Sequence, residues 1–269
     1  MDSLQINCIE RVLIITRDLT IARQRWTEAG FALSAIATDQ VNRVRFAQFA
    51  AGAITLELFE PLDGAALAAP LGGQLHNRFG VVEGVTGWIW GCARLPPNAG
   101  VPVARSIVEL PVSLAGTFTA AEEERRSFEE RKAGCQRRFG PNPNGVAYLD
   151  HIVIMVPDLP TAIAAQQSLG LQCKRVRDAG RGTRQAFFKL DQTVLEVVGP
   201  SPDEVGVWGL AFMCADLDRA VVTARATGLQ ATEPKTAVQG GRIARLVEPV
   251  NGVAIAYVEA AKAAPITCD

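Results

Sequence analysis

The sequence predicts an α+β protein in which a strand–helix–three-strand unit is used repeatedly along the chain. Two observations support this prediction: the two halves of the sequence align with each other, and each aligned segment combines apolar strands with one amphipathic helix. The length of 269 residues suits two modest domains. We therefore expect one domain over residues 8–142 and a second over residues 146–260, with the boundary near residues 142–147.

The first element of the repeat is a strand that leads into a helix. The segment from Glu10, ERVLIITRDLTIARQRWTEAGF, aligns with the segment from Asp150, DHIVIMVPDLPTAIAAQQSLGL. In each segment an aspartate, Asp18 or Asp158, stands where an N-cap would accept backbone N–H groups. A glycine stands where the chain must turn out of the helix. Each segment therefore predicts a strand followed by a packed helix.

The next element is a pair of strands joined by a short turn. VRFAQFAAGAITLELFEP aligns with TRQAFFKLDQTVLEVVGP, which places Arg45 on Arg184 and Glu57 on Glu196. Both segments are apolar runs interrupted by turn residues, which is typical of a β-hairpin. The sequence therefore predicts that the two glutamates occupy equivalent strand positions.

A third match begins the second unit of each half, since GWIWGCARL from Gly87 aligns with GLAFMCADL from Gly209. The connector before it is longer in the first half, and its residues 61–84 are rich in Gly, Ala and Pro, which predicts a surface loop with His76 exposed. The first half then diverges into a charged segment at residues 119–139. We expect that segment to be a solvated connecting helix, with a partner-binding helix as the alternative.

Composition excludes several classes of protein. The 27 Lys and Arg residues balance 28 Asp and Glu residues, so bulk charge does not attach the chain to nucleic acid or anionic lipid. A hydrophobic share of 48% provides material for a packed core and excludes disorder as the main state. The acidic N-terminus and the short apolar runs predict a cytoplasmic protein. We expect a small-molecule ligand, no nucleic acid, no membrane, and a monomer or homodimer.

The motifs DHIVIMVPDL, LEVV and AFMCADLD resemble the vicinal oxygen chelate superfamily, the fold of glyoxalases, bleomycin-resistance proteins and extradiol dioxygenases. The resemblance implies two glyoxalase-like domains, each made of two βαβββ modules that form a curved mixed sheet around a pocket. In the metal-dependent members, it implies that the first and last strands of each module supply the metal ligands.

The ligand positions implied by the resemblance are only partly filled in this sequence. In the second half, His151 and Glu196 stand at two of them, but Gly209 and Ala256 stand at the other two. Stable metal sites usually have three or four protein ligands. We therefore expect no cofactor, with a weakly held divalent metal ion at His151 and Glu196 as the alternative.

The first half fits a metal less well. The resemblance places Arg11 at the histidine position, keeps Glu57, and has Gly87 in place of the second histidine. A guanidinium stays charged and repels a metal ion. We expect no metal there, and we expect Glu57 to pair with Arg11 or Arg45 because a carboxylate on an apolar strand needs a partner.

These observations lead to a functional hypothesis centred on His151 and Glu196 as a catalytic acid/base pair. Arg184 is expected either to pair with Glu196 or to bind an anionic or carbonyl group of the substrate. The expected substrate-binding residues are Arg184, Arg11, Glu57 and Trp208.

The resemblance and the missing ligands together favour a glyoxalase-like enzyme that acts on a small carbonyl-containing organic substrate. Its chemistry would be metal-independent acid/base catalysis by an isomerase, epimerase or lyase. One alternative is a non-catalytic small-molecule binding or sequestration protein of the bleomycin-resistance type. Another is a metal-dependent glyoxalase or dioxygenase, which Gly209 and Ala256 disfavour.

Overall fold

The predicted α+β class is confirmed by the computed structural model of the chain, which forms two curved, open mixed sheets with helices. The structure describes residues 5–62, 83–94, 105–106, 115–118, 127–201, 206–238 and 240–261. Most of the predicted loop at 61–84, with His76, lies outside the described residues, as do residues 119–126 of the predicted charged helix.

The first sheet contains the strands before residue 119. They are β1 (Gln5–Ile15), β2 (Ala37–Asp39), β3 (Val44–Ala51), β4 (Ile54–Pro61), β5 (Gly84–Arg94), β6 (Arg105–Ser106) and β7 (Ala115–Phe118). Their order in the sheet is β2-β3-β4-β1-β5-β7-β6. Helix α1 (Leu19–Glu28) follows β1, and helix α2 (Phe128–Phe139) lies between the two sheets in the sequence.

The second sheet repeats this plan with both of its modules complete. Its strands are β8 (Val146–Met155), β9 (Cys173–Gly180), β10 (Thr183–Leu190), β11 (Thr193–Gly199), β12 (Gly206–Cys214), β13 (Lys235–Thr236), β14 (Arg242–Arg245) and β15 (Ala254–Glu259). Their order is β13-β14-β15-β12-β8-β11-β10-β9. Helix α3 (Leu159–Ser168) follows β8, and helix α4 (Leu217–Ala226) follows β12. In the described part of the chain, every helix is too short or too polar to cross a membrane.

The strand register confirms that the two halves repeat each other. In the first sheet Leu13 of β1 pairs with Glu57 of β4, and in the second sheet Val153 of β8 pairs with Glu196 of β11. Both pairs join parallel strands that begin and end a module. The two glutamates therefore stand at equivalent positions, as the alignment predicts.

The predicted helix caps are right in one half and wrong in the other. The Asp18 carboxylate accepts hydrogen bonds from two backbone N–H groups of α1 at 2.8 and 3.0 Å. Asp158 makes no such bond to the backbone of α3. The reason is local, since Pro160 stands at the second helical position and has no N–H to donate. Asp158 instead accepts a hydrogen bond from the Thr161 hydroxyl at 2.5 Å.

One continuous core joins the two halves. The rings of Phe31 in the first half and Phe212 in the second are 4.9 Å apart. The buried Tyr257 hydroxyl donates to the carbonyl of Ala29, just after α1, at 2.9 Å. The end of α1 therefore packs against β12 and β15 of the second sheet.

The segment between the halves is held by two buried asparagines. Asn144 donates to the carbonyl of Ala29 at 2.9 Å and accepts from the N–H of Val146 at 3.1 Å. Asn142 donates to the carbonyl of Ala50 at 2.7 Å. These side chains satisfy buried backbone groups, so they connect the first half to the start of β8.

Replacing Asn144 by Ala is expected to lower the free energy of unfolding by about 1–3 kcal/mol, because the N–H of Val146 loses its side-chain acceptor and the carbonyl of Ala29 keeps only the Tyr257 hydroxyl as a side-chain donor. Urea denaturation measures the change. The control is Asn7→Ala on the exposed side of β1, which is expected to change stability by less than about 0.5 kcal/mol. Equal effects of the two substitutions would contradict the role of Asn144 in joining the halves.

Candidate functional site

The concave face of the second sheet carries the predicted catalytic residues. Alternate residues of β8 and β11 are fully buried on the other side of the sheet, here called the back face: Ile152, Ile154, Leu195 and Val197. Because successive side chains of a strand point to opposite faces, His151 and Glu196 point to the concave face. Both are partly buried.

The structure brings His151 and Glu196 close together. His151 pairs in register with Val194, and Glu196 pairs with Val153, so the two side chains are diagonal neighbours on adjacent strands. Burial raises the pKa of the Glu196 carboxyl, while the nearby His151 acts in the opposite direction by favouring the carboxylate. Glu196 is therefore a carboxyl group that holds its proton to higher pH than an exposed glutamate does.

Asp150 completes this group and was not singled out from the sequence. Its Oδ2 lies 2.6 Å from Nδ1 of His151. The pairing of β8 with β12 is irregular here, since His151 pairs with Ala211 and Leu149 with Phe212, which leaves Asp150 between the two pairs. Such a bulge lets neighbouring side chains meet on one face. With the carboxylate accepting from Nδ1–H, Nε2 of His151 is an acceptor for a proton.

A second chain of polar groups reaches Glu196 from the other side. Gln185 on β10 hydrogen-bonds to Glu196, which favours the carboxylate and lowers its pKa against the effect of burial. Arg177 on β9 donates through Nε to Oε1 of Gln185 at 2.5 Å. Phe187, which pairs in register with Glu196, has the guanidinium groups of Arg175 and Arg177 over its ring, at 4.9 and 5.4 Å from the centroid. Sequence reasoning missed all of these residues.

Arg184 does not belong to this group. It pairs in register with Gly199, one residue before Gln185, so its side chain leaves β10 on the opposite face from Gln185 and Phe187. The prediction that Arg184 pairs with Glu196 or holds a substrate beside it is therefore wrong. Its side chain is exposed on the back side of the hairpin.

The second module of this sheet presents small residues where the first presents polar ones. Ala211 pairs with Ala256 between β12 and β15 just as Val153 pairs with Glu196 between β8 and β11. Ala256 is thus the structural equivalent of Glu196. Trp208 lies at an irregularity in β12 and is 44% exposed, and its part in substrate binding stays a prediction.

The remaining ligand position, Gly209, is closed by its surroundings. A Cβ atom there would lie 2.5 Å from the carbonyl oxygen of Ala254 on the neighbouring strand, so no side chain fits unless the backbone of β15 moves. Across the part of the chain that the structure describes, no group of three or more His, Cys, Asp or Glu residues is arranged to hold a metal ion. His151 and Glu196 are two donors, which do not fit a tightly held metal.

On the equivalent face of the first sheet, Glu57 forms an ion pair with Arg11. Arg11 donates to Oε2 of Glu57 at 3.1 Å, and Gln48 donates to the same oxygen at 2.5 Å. Arg45, the other predicted partner, pairs with Glu60 at 3.1 Å. The Glu57 side chain is only 14% exposed, and its charge is matched by a neighbouring guanidinium. The structural interpretation of Glu57 is therefore favoured.

Helix α2 lies against this same face. Arg138 of α2 donates to Oε1 of Gln48 at 2.7 Å. Burial raises the pKa of the Cys135 thiol, which also hydrogen-bonds to the side chain of Thr55. The expectation of a solvated connecting helix is thus only half right: no residue of α2 is fully buried, yet one side of the helix contacts β3 and β4. Arg11 and Glu57, predicted as substrate-binding residues, lie under or beside the chain's own helix.

Comparison with known proteins finds a family match over part of the second half and a similar fold over the whole chain. Residues 150–244 match the family model of the Glyoxalase/Bleomycin resistance protein/Dioxygenase superfamily. The fold of a mutant 4-hydroxymandelate synthase from Streptomyces coelicolor matches 97% of this chain and 94% of that chain, with a TM-score of 0.64 and 13% identity. Methylmalonyl-CoA epimerase from Mycobacterium tuberculosis matches 44% of this chain and 91% of its own, with a TM-score of 0.38 and 23% identity. No curated protein matches the chain.

The two equivalent glutamates are expected to respond oppositely to the same substitution. Glu57→Gln removes the charge that Arg11 pairs with, and should lower the free energy of unfolding by about 1–2 kcal/mol. Glu196→Gln removes a buried carboxyl whose ionisation is costly, and should raise stability at neutral pH. Because the pKa of Glu196 is raised in the folded state, wild type loses stability relative to Glu196→Gln as pH rises from below 4.5 through that raised pKa.

Urea denaturation of the two variants between about pH 4 and pH 8 checks this sign. A Glu196→Gln variant that is less stable than wild type at neutral pH would show that the carboxyl is a structural ion-pair partner.

The donor set also makes a prediction about metal. Purified protein should contain well under one equivalent of transition metal by elemental analysis, and chelators should leave its thermal stability unchanged. One equivalent of tightly bound metal that is lost when His151 or Glu196 is replaced would contradict the conclusion that this site cannot hold a metal ion.

Proposed function

We propose that the second half of the chain, which matches the family model of the Glyoxalase/Bleomycin resistance protein/Dioxygenase superfamily over residues 150–244, is a metal-independent acid/base enzyme for a small carbonyl-containing substrate. The observation that carries the proposal is the Asp150–His151–Glu196 group on the concave face. It combines an imidazole oriented by one carboxylate with a second carboxyl whose pKa is raised by burial.

His151 is the proposed base. Its Nδ1 is held by Asp150, so Nε2 is the nitrogen that takes a proton from the carbon next to the substrate carbonyl. The positive charge that develops on the imidazole is stabilised by the Asp150 carboxylate at 2.6 Å. Asp150 acts through His151 and is a positioning residue.

Glu196 is the proposed acid. The raised pKa keeps its carboxyl protonated to higher pH, so it can donate its proton to the substrate carbonyl oxygen. The electron pair of the broken C–H bond forms the C=C bond of the enol, and the carbonyl π pair takes the proton from Glu196. Return of a proton to either face or to the adjacent carbon gives an epimer or an isomer, and loss of a neighbouring leaving group gives an elimination product.

The second module places small residues beside this group. Ala211 lies across from His151 in the strand pairing, and Ala256 adjoins Ala211 on the next strand. We infer that the apolar part of the substrate lies against these small side chains on β12 and β15. The site thus combines one polar and one apolar half, which suits an organic carbonyl compound.

Exchange of carbon-bound hydrogen with solvent tests the proposal without knowledge of the natural substrate. Wild-type protein is incubated in D2O with hydroxyacetone, dihydroxyacetone phosphate and 4-oxopentanoate, and proton NMR follows the loss of signal at the carbons beside the carbonyl. We expect His151→Ala and Glu196→Gln to lower the exchange rate by about 10²–10⁴-fold while changing probe affinity far less.

The matched control is Asp178→Asn, which converts a carboxylate to an amide on the back side of the same β9–β10 hairpin. It should leave exchange unchanged. Exchange that survives both site substitutions would oppose the proposal. Tight binding of a probe by wild type with no exchange would identify a sequestering protein instead.

A further inference from the structure

A tyrosine that the proposed mechanism does not use lies on the same face of β8 as His151. Between the two, Leu149 pairs in register with Phe212 of β12, and both of these side chains are fully buried in the core on the back face. Successive side chains of a strand point to opposite faces, so Tyr148 points to the concave face. Tyr148 and His151 are therefore neighbours along the concave face of β8.

The hydroxyl of Tyr148 is within electrostatic reach of Asp150. Burial raises the pKa of this phenol, and the charge of the Asp150 carboxylate raises it further. The same carboxylate lies 2.6 Å from Nδ1 of His151. Tyr148 is thus a neutral phenol beside the proposed catalytic group, and its hydroxyl can donate and accept a hydrogen bond.

The first half of the chain holds this side chain in place. The ring of Phe128 on α2 meets the Tyr148 ring edge-on, with the centroids 6.2 Å apart. Gly52, in the turn between β3 and β4, approaches the same residue so closely that a Cβ atom there would lie 2.5 Å from Cβ of Tyr148. The ring is therefore fixed before a ligand binds, which lowers the entropy cost of binding.

The order of groups along the concave face suits one orientation of the substrate. Glu196 pairs in register with Val153, two residues beyond His151, while Tyr148 lies on the other side of His151. The proposed base thus stands between the proposed acid and the phenol. A substrate whose carbonyl oxygen meets Glu196 and whose reacting carbon meets His151 directs the remaining substituent of that carbon towards Tyr148.

We propose that Tyr148 binds a neutral hydroxyl group on the reacting carbon, so that the substrate is an α-hydroxy carbonyl compound. The inference rests on the proposed function and adds the substrate class. The Asp150 carboxylate repels an anion at this end of the site. An alkyl group there would displace water from the phenol without replacing its hydrogen bond. Tyr148 acts on specificity, since it contacts the substituent rather than the carbonyl.

Two ketones of matched size test the assignment. Hydroxyacetone and butanone differ only by a hydroxyl in place of a methyl on the methylene carbon beside the carbonyl. Deuterium exchange at that methylene, corrected for the rate in buffer alone, gives a maximal rate and a half-saturating concentration for each probe.

Tyr148→Phe should raise the half-saturating concentration of hydroxyacetone by about 3–10-fold, as expected for loss of one neutral hydrogen bond. It should change that of butanone by less than about twofold. The maximal rate should change little, because the hydrogen bond is present both before and during proton transfer.

The control is Tyr257→Phe, which makes the same substitution at the other tyrosine of the sequence. The Tyr257 hydroxyl lies in the core, where it donates to the carbonyl of Ala29. Its removal should lower stability but leave both half-saturating concentrations unchanged at a temperature where the variant is folded.

The outcomes separate this inference from the proposed function. If wild type takes hydroxyacetone no more tightly than butanone, or if Tyr148→Phe and Tyr257→Phe act alike, the hydroxyl subsite is wrong. Exchange of both probes that is lost in His151→Ala would then leave the acid/base function standing. If wild type exchanges neither probe, ligand-observed NMR measures the two affinities instead. A preference for hydroxyacetone that is lost in Tyr148→Phe would then keep the subsite and remove the enzymatic function, while equal affinities would overturn both.

Discussion

The packing of the end of α1 against the second sheet is the constraint on which the molecule depends. Phe31 meets Phe212, Tyr257 reaches the carbonyl of Ala29, and Asn144 fills the space beside Gly30, where a Cβ would lie 2.6 Å from the asparagine side chain. This contact joins the helix-bearing side of the first half to that of the second. The core lies on the helix-bearing side of both sheets, opposite the concave faces.

The two concave faces carry a glutamate at equivalent positions but surround it differently. In the first sheet Gln48 stands opposite Glu57, and α2 lies over both, so the carboxylate is held by the chain itself. In the second sheet Phe187 stands opposite Glu196, and although His151 and Arg177 favour the carboxylate, burial outweighs them and raises the pKa of the carboxyl. The carboxylate of the first sheet is therefore part of a structural ion pair, while the carboxyl of the second sheet is one whose ionised form is disfavoured by burial.

Sequence reasoning reached the register of the repeat because apolar periodicity and the glycines after the helices are local signals. It placed Glu57 and Glu196 at equivalent strand positions and His151 on the strand beside Glu196, while the catalytic role of His151 stays a prediction. It failed for Arg184 because alignment gives the position along a strand but not the face. Counting back from the turn at Asp191 would have set Phe187 opposite Glu196, and so Gln185 on its face. The packing of α2 against β3 and β4 had no such local signal, because the charges are spread around the helix and its contacts are distant in sequence.

The closed position at Gly209 also limits how such a protein changes over time. A histidine introduced there meets the carbonyl oxygen of Ala254, which belongs to the backbone and cannot be replaced by another residue. A metal ligand at this position would thus need the backbone of β15 to shift together with the new side chain. A single substitution at Gly209 therefore does not supply the missing ligand, and variation at this site is confined to positions where the backbone leaves room for a side chain.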